Sequence, residues 1–484
     1  MGRRNWLSRI YSFAPSTGNA NSIFLGSPDV SSTLQGTNHS IFEVEGHFDA
    51  IQIIFGNMSS SHDQVINDTR IIVPNSISDH VQDAAFAAST YQIKVGGATT
   101  FTIPKRSIVS YPNVVVSDPL YISSVDRIDI VGAKPLLGFR MLFDMASGNT
   151  HNISYFSKVG ATWGTSGQIG WHSSRSGNCL TSALTGTPVS TGVSANWHIL
   201  GIRYLSRKRG MTVMWVGDSI TACATTAYTN HKYGGYPLLS ALANSTLNNP
   251  VECINCGMSS QSAAQYQAAG TYLMPLVYPT NLIEEFWSPN STTPGASLPS
   301  GITSCINEQA TLFSNAAAIG VSRAMWNGIP ECTDATGTVS AYSVSDDTLR
   351  LNALATQAAL GYPTLDFNSV VKDGSTPQRF QMVANGNARN FTDDGLHPNQ
   401  NCDDYALTPA ATTFVASLAS SFRNPSHVEY QVRIPGGRFL NGLTGVYNVR
   451  IPGSTMFNDA APSGGAALSG MGRKTSLALS ISIS

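Results

Sequence analysis

Charged residues are scarce in this chain of 484 residues. Asp, Glu, Lys and Arg together make up 12% of it, whereas soluble proteins usually contain about a quarter. The 28 basic and 29 acidic residues nearly balance, and no long run of Lys or Arg occurs. Surfaces that bind nucleic acid or anionic membranes need such clusters, so neither partner is expected. Ser, Thr, Asn and Gly take the place of charge, which favours an extracellular or virion-associated protein without fixing its localisation.

Cysteines and long apolar runs are also few. The seven cysteines are widely spaced except for the pair Cys253 and Cys256, so neither a disulfide scaffold nor a four-ligand zinc site is expected. We expect free buried thiols, no metal and no other cofactor. No run approaches the roughly 18 apolar residues of a membrane span. The basic start, MGRRNWLSRIYSFAPSTG, has no continuous apolar segment behind it, so it is expected to be a tail and not an export signal.

Residues 1–205 are predicted to form an all-β module. Segments rich in β-branched and aromatic residues, among them Ser40–Glu45, Ala50–Phe55 and Asn113–Val116, are separated by clusters of Gly, Pro, Asn and Asp. This pattern is typical of a β-sandwich or jelly roll. We expect the module to bind glycan or to serve in docking. The charged stretch 206–210 is interpreted as the linker that follows it.

Residues 206–425 are predicted to alternate between strands and helices. The predicted helices are Pro237–Ala243, Gln261–Gln267, Cys305–Ala318, Leu349–Leu360 and Ala406–Phe422, and strands lie between them at Val251–Ile254, Leu282–Trp287, Val321–Trp326 and Thr364–Phe367. Such alternation implies a mainly parallel sheet covered on both faces, which is a three-layer α/β domain.

Residues 426–484 are predicted to form a short C-terminal β appendage. The sequence VRIPG at 432–436 recurs at 449–453, which predicts a hairpin, and the alternating end LALSISIS predicts an edge strand. These β regions are candidates for contacts in a homo-oligomer.

Two short motifs supply the chemistry of acyl transfer. The apolar run MTVMWV predicts a buried strand that ends at Gly217-Asp218-Ser219, where open α/β sheets place their reactive groups. Near the other end of the chain, the motif DGLHP places Asp394 and His397 three residues apart. A serine attacks well only when a base takes its proton, and a carboxylate can orient a histidine for that task. Ser219, His397 and Asp394 are therefore the candidate nucleophile, base and orienting acid.

The order and context of these motifs resemble the SGNH/GDSL hydrolase family over about residues 210–422. The resemblance implies a flavodoxin-like α/β domain and a serine esterase that needs no metal or cofactor. It also implies three oxyanion donors: the backbone N–H of Ser219, a backbone N–H from a second sequence block, and an asparagine side chain from a third. In NCGMSS the family's glycine falls on Ser260, with Gly257 as the alternative register. In SPNS the family's asparagine matches Asn290, although its glycine and aspartate are replaced.

The layout of a β module before an SGNH domain resembles some carbohydrate esterases and phage tail-associated glycan deacetylases. This resemblance implies removal of O-acetyl groups from a polysaccharide through an acyl-enzyme, with the acetylated glycan as partner. Two alternatives stay open. The altered second and third blocks fit a non-catalytic glycan-binding, attachment or virion structural protein. A lipase or thioesterase would act on longer acyl chains, but the α/β region has no long apolar segment that would form a lid.

Overall fold

The structure is a computed structural model of the chain. It describes residues 6–10, 35–57, 63–72, 91–106, 112–121, 136–144, 154–155, 170–176, 188–190, 195–196, 199–223, 235–258, 261–287, 298–330, 344–423, 427–433, 446–452 and 480–482. The chain forms two compact units, Met1–Ala416 and Ser417–Ser484.

The first part of the larger unit is built of strands. In chain order they are β1 (Trp6–Ile10), β2 (Gln35–Glu43), β3 (Phe48–Asn57), β4 (Gln64–Ile72), β5 (Phe101–Ile103), β6 (Asn113–Val116), β7 (Leu120–Tyr121), β8 (Leu136–Asp144), β9 (Ser154–Tyr155), β10 (Gly170–Ser176), β11 (Pro188–Ser190), β12 (Ala195–Asn196) and β13 (Ile199–Ser206).

Strands and helices then alternate, which confirms the predicted pattern. The elements are β14 (Met211–Gly217), α1 (Gly235–Ala243), β15 (Val251–Gly257), α2 (Ala263–Val277), β16 (Asn281–Glu285), α3 (Leu298–Ala318), β17 (Ser322–Trp326), α4 (Val344–Ala359), β18 (Thr364–Leu365), α5 (Asn368–Val371), a 3₁₀ turn (Val383–Asn385), α6 (Gln400–Cys402), a π-helix (Asp403–Leu407) and α7 (Thr408–Arg423). No helix among the described residues is long and apolar enough to cross a membrane.

A ten-stranded sheet is the frame of the larger unit. Its strand order is β18-β17-β16-β14-β15-β1-β13-β3-β6, and β7 also pairs with β3. The strands β15-β14-β16-β17-β18 are parallel to one another, which is the doubly wound order 2-1-3-4-5 of a flavodoxin-like sheet. The chain passes from β14 to β15 on one side and later to β16 on the other. The end of β14 is therefore the switch point, where such sheets open a crevice.

Helices cover both faces of the sheet around β14. On one face, Met214 and Val216 belong to a buried cluster with Leu273 of α2 and Leu312 of α3. On the other face, Trp215 packs edge-on against Tyr236 of α1, with 5.4 Å between ring centroids. Burial of each such apolar side chain contributes about 1.5–3 kcal/mol. The apolar run before the GDS motif is therefore a central strand buried on both sides, as expected.

Part of the N-terminal stretch that was expected to be a tail lies in the main sheet, which corrects that expectation for Trp6–Ile10. Residues Trp6–Ile10 form β1, which runs antiparallel to β13 and parallel to β15. Arg9 is fully buried and forms ion pairs with Glu45 (3.0 Å) and Glu252 (2.6 Å). The hydroxyl of Tyr204 also donates to Glu252, at 2.5 Å. The two carboxylate partners of Arg9 lie 36 and 243 residues away along the chain, so no local pattern shows that this residue is buried.

The β region shares its main sheet with the α/β region. Strands β1, β3 and β13 lie in the same sheet as β14, so the sheet continues across the predicted boundary at residue 205. A second sheet has the order β11-β10-β2-β8-β4-β5. The ring centroids of Phe55 (β3) and Phe101 (β5) lie 4.9 Å apart, so the two sheets face each other at this contact. The separate sandwich module stays a prediction.

The smaller unit contains a three-stranded antiparallel sheet. Strand β19 (His427–Arg433) pairs with β20 (Val446–Pro452), and β20 pairs with β21 (Ser480–Ser482). The hairpin that the VRIPG repeat predicted is confirmed, and the alternating end of the chain supplies the third strand.

Candidate active site

A tight turn presents Ser219 at the end of β14. After Gly217 the chain leaves the sheet, and the carbonyl of Asp218 accepts the N–H of Ala222 at 2.9 Å. The Asp218 side chain caps the same turn, since its Oδ1 accepts the N–H of Ile220 at 2.8 Å. Asp218 is fully buried, whereas Ser219 keeps 8% of its surface exposed. The turn therefore fixes the backbone while leaving the serine hydroxyl within reach of solvent.

The neighbouring strand β15 braces this turn from one side. Asn255 donates from its Nδ2 to the carbonyl of Thr221 at 3.0 Å, and its Oδ1 accepts the N–H of Gly257 at 2.9 Å. A Cβ atom at Gly257 would collide with the backbone of Thr221 and Ala222. The glycine is needed because the serine turn rests directly on the end of β15.

The strand on the other side, β16, reaches the same turn through Glu285. Its Oε2 accepts the N–H of Asp218 at 2.8 Å and the hydroxyl of Thr221 at 2.9 Å. A Cβ atom at Gly217 would collide with Glu285 and Thr221, so this glycine makes room for the carboxyl group. Glu285 was not identified from the sequence alone. A signal was present, since Glu is rarely buried and the strand predicted here contains two consecutive glutamates.

A second turn carries the histidine and its carboxylate. Gly395 adopts a positive φ of 82°, which glycine tolerates. This turn brings the side chains of Asp394 and His397, three residues apart, to the same side of the backbone. Asp394 Oδ1 accepts the N–H groups of Leu396 (2.9 Å) and His397 (2.7 Å). Thr392 closes the turn by accepting the N–H of Gly395 at 2.9 Å. Hydrogen bonds within the loop thus fix the position of the Asp394 carboxylate independently of its contact with the imidazole.

The two turns bring the three predicted residues together. His397 Nδ1 lies 2.7 Å from Asp394 Oδ2, and His397 Nε2 lies 3.0 Å from Ser219 Oγ. An ionised carboxylate only accepts hydrogen bonds, so Nδ1 carries the proton and Nε2 offers its lone pair to the serine hydroxyl. Both distances lie within the reach that proton transfer needs.

The electrostatics keep Asp394 ionised. Partial burial raises the pKa of Asp394, but hydrogen bonds from the His397 ring and from the N–H groups of His397 and Leu396 outweigh this effect. The pKa of the Asp394 carboxyl therefore lies well below its usual range. A carboxylate that stays charged at neutral pH can hold the imidazole in one tautomer and stabilise the imidazolium.

The described residues include part of the expected oxyanion site. The N–H of Ser219 has no hydrogen-bond acceptor among them. The N–H of Gly257, which is the alternative second donor, is already bonded to Asn255. Ser260 and Asn290 lie outside the described residues, so their roles stay predictions. Because its N–H is already bonded, Gly257 is poorly suited to serve as the second donor.

The cysteine pair of β15 consists of buried free thiols. Cys253 and Cys256 are three residues apart on one strand, so their side chains point to opposite faces of the sheet and cannot bind one metal ion together. Burial raises the pKa of both thiols, which makes them poor nucleophiles and poor ligands. In the part of the chain that the structure describes, no group of three or more His, Cys, Asp or Glu side chains is placed to hold a metal.

Comparisons with known proteins give weak likenesses. No protein-family model and no curated protein matches the chain. Similar solved structures include the psychrotrophic esterase EstA from Pseudoalteromonas sp., which is 14% identical at a TM-score of 0.31 and covers 44% of this chain and 99% of its own. A carbohydrate acetylesterase family member from Sinorhizobium meliloti is 15% identical at a TM-score of 0.32 and covers 43% of this chain and 99% of its own.

The Clostridium thermocellum family 3 carbohydrate esterase is 12% identical at a TM-score of 0.31, and the match covers 45% of this chain and all of that one. Similarity at such low TM-scores does not establish the activity of this chain. What the site can do follows from the geometry of Ser219, His397 and Asp394.

Proposed function

We propose that the protein is a serine esterase that removes O-acetyl groups from a polysaccharide through an acyl-enzyme. The observation that carries this proposal is the contact of His397 with both Ser219 Oγ (3.0 Å) and Asp394 Oδ2 (2.7 Å) at the switch point of the sheet. A serine hydroxyl, an oriented histidine and an ionised carboxylate in hydrogen-bond contact are the parts that acyl transfer needs.

The first half of the reaction forms the acyl-enzyme. Ser219 Oγ attacks the carbonyl carbon of the ester while His397 Nε2 takes the hydroxyl proton, and Asp394 stabilises the imidazolium that results. The N–H of Ser219, the N–H of Ser260 and the side chain of Asn290 bind the negative oxygen of the tetrahedral intermediate. As the intermediate collapses, the bond to the sugar oxygen breaks and that oxygen takes the proton from His397 Nε2.

The second half releases the acyl group. A water molecule gives a proton to His397 Nε2 and attacks the acyl carbon, and a second tetrahedral intermediate forms. Its collapse breaks the bond to Ser219 Oγ, which recovers its proton from His397. The product leaves as acetic acid, which loses its proton to water and becomes acetate. The cycle uses water as the only co-reactant.

The choice of acetyl and of polysaccharide rests on the sequence. The α/β region has no long apolar segment that would shelter a long acyl chain, and the Ser-, Thr-, Asn- and Gly-rich composition suits a protein that meets carbohydrate outside cells. A non-catalytic glycan-binding protein is the second candidate, since the second and third oxyanion blocks depart from the family pattern.

The test compares hydrolysis of p-nitrophenyl acetate, butyrate and octanoate, together with acetate release from O-acetylated polysaccharides. Wild type should prefer acetate, and Ser219→Ala should lose activity by at least about 10³-fold while keeping its fold. Ser322→Ala, which changes an exposed serine at the opposite end of the sheet, is the matched control and should keep full activity. A preference for octanoate would indicate a lipase or thioesterase, and glycan binding without hydrolysis would indicate the binding module.

A further inference from the structure

Glu285 is a carboxyl group buried directly behind the nucleophile. It is the last residue of β16 and has no exposed surface. Its Oε2 accepts from the N–H of Asp218 and from the hydroxyl of Thr221, which flank Ser219 on either side. One oxygen atom thus holds both the entry and the exit of the turn that presents the nucleophile.

We propose that Glu285 is a positioning residue, which sets the place of Ser219 Oγ relative to His397 Nε2 through the turn at 218–221. This inference rests on the proposed esterase function. Glu285 does not touch the reacting atoms, and it acts by fixing the backbone on either side of Ser219. The space for it exists only because residue 217 is glycine, so the close approach of β16 to the turn is built into the motif.

A neutral carboxyl group fits this place better than a charged one. Burial and the neighbouring charge of Asp218 raise the pKa of Glu285, and donation from the N–H of Asp218 and from Thr221 offsets this only in part. Tyr236 of α1 faces the same buried region, and Cys223 and Asp403 face Tyr236 in turn. These neighbours supply no cation, so a proton on Glu285 limits the repulsion with Asp218.

Glutamine is therefore the closest substitute, because it is neutral and keeps an oxygen that can accept both hydrogen bonds. Leucine keeps most of the volume but accepts none. The adjacent Glu284 offers a matched control: it is equally buried on the same strand, yet its side chain meets Gln267 and Gln309 on the opposite face of the sheet.

The experiment measures kcat and KM for p-nitrophenyl acetate in Glu285→Gln, Glu285→Leu, Thr221→Val and the control Glu284→Leu. Glu285→Leu should lower kcat about 100-fold and change KM less than about threefold, because a displacement on the order of 1 Å at a reacting group has an effect of this size. Glu285→Gln should recover kcat to within about tenfold of wild type. Thr221→Val, which removes one donor and leaves Glu285 in place, should lower kcat about tenfold.

The control separates positioning from general loss of stability. Glu284→Leu should keep kcat within about threefold of wild type even where it melts at a lower temperature. A folded Glu285→Leu with wild-type kcat, or a fall in kcat for Glu284→Leu equal to that for Glu285→Leu, would overturn the inference. If Glu285→Leu does not fold, the comparison of Thr221→Val with Glu285→Gln decides in the same way.

A structural measurement decides the matter even if the proposed esterase activity is absent. Crystal structures of wild type, Glu285→Gln and Thr221→Val give the distance from Ser219 Oγ to His397 Nε2, which is 3.0 Å here. The inference requires that this contact be kept in Glu285→Gln and lost in Thr221→Val. An unchanged distance in Thr221→Val would overturn it, whether or not wild type hydrolyses esters.

Discussion

Glu284 should make the stability of the fold depend steeply on pH. Its side chain is fully buried where β16 meets α2 and α3, and the side-chain amides of Gln309 and Gln267 donate to its two oxygens. Burial raises the pKa of the Glu284 carboxyl from 4.5 to about 8, and the two hydrogen bonds offset only part of this effect. The folded chain therefore holds a proton on Glu284 at neutral pH.

The sign and size of the effect follow from proton linkage. Below pH 4.5 the carboxyl is protonated in both the folded and the unfolded chain, so it adds no pH dependence. Between pH 4.5 and about 8 only the unfolded chain releases the proton, and the free energy of unfolding falls by about 1.4 kcal/mol per pH unit. The loss over this interval is roughly 5 kcal/mol, which is large beside the usual roughly 5–15 kcal/mol of a domain.

Glu284→Gln removes this titration. The new amide can donate to Gln267 Oε1, which has no hydrogen-bond partner among the described residues. Urea unfolding of wild type and variant at about pH 4, 6 and 8 should show a difference in stability that grows with pH and favours the variant at pH 8. Contributions from other titrating groups largely cancel in this difference. A difference that stays constant across the three pH values would show that the folded chain does not keep a proton on Glu284 in this pH range.

Three further predictions concern the site and its frame. Asp394→Asn should lower kcat about 10³- to 10⁴-fold with the fold intact, because the amide no longer fixes the imidazole tautomer; a loss under tenfold in ester hydrolysis would contradict this. Gly257→Ala should destabilise the protein by about 1–3 kcal/mol and impair hydrolysis, because its Cβ meets the backbone of Ala222; unchanged urea unfolding and turnover would argue against that contact. Arg9→Met should cost about 3–5 kcal/mol in urea unfolding, because the fully buried carboxylate of Glu252 loses the guanidinium that it pairs with; a cost below about 1 kcal/mol would contradict this.

The features of the fold and site that could be predicted are those that short stretches of sequence encode. The apolar run before Ser219, the alternation of strands and helices, and the short spacing of Asp394 and His397 can each be read within a few residues. Because the carboxyl ends of parallel strands meet at one edge of the sheet, the order of the elements also predicts where the serine lies.

What the sequence did not reveal depends on pairing between distant strands. The N-terminal strand β1 was expected to be a tail, since nothing near Arg9 shows that two glutamates would neutralise it inside the sheet. Asn255 and Glu285 hold the nucleophile turn from strands 34 and 67 residues away along the chain. Their roles follow from the register of β15 and β16 against β14, which no local pattern encodes.

The proposed esterase function requires that Ser219 be a nucleophile and that His397 activate it. The most direct measurement is the mass of the intact protein after incubation with a serine-directed fluorophosphonate, followed by peptide mapping of the adduct. We expect one adduct on Ser219 in wild type, which is absent in Ser219→Ala and forms at least about 100-fold more slowly in His397→Ala. A folded wild-type protein that stays unlabelled, or labelling of another residue at the same rate in Ser219→Ala, would contradict this expectation.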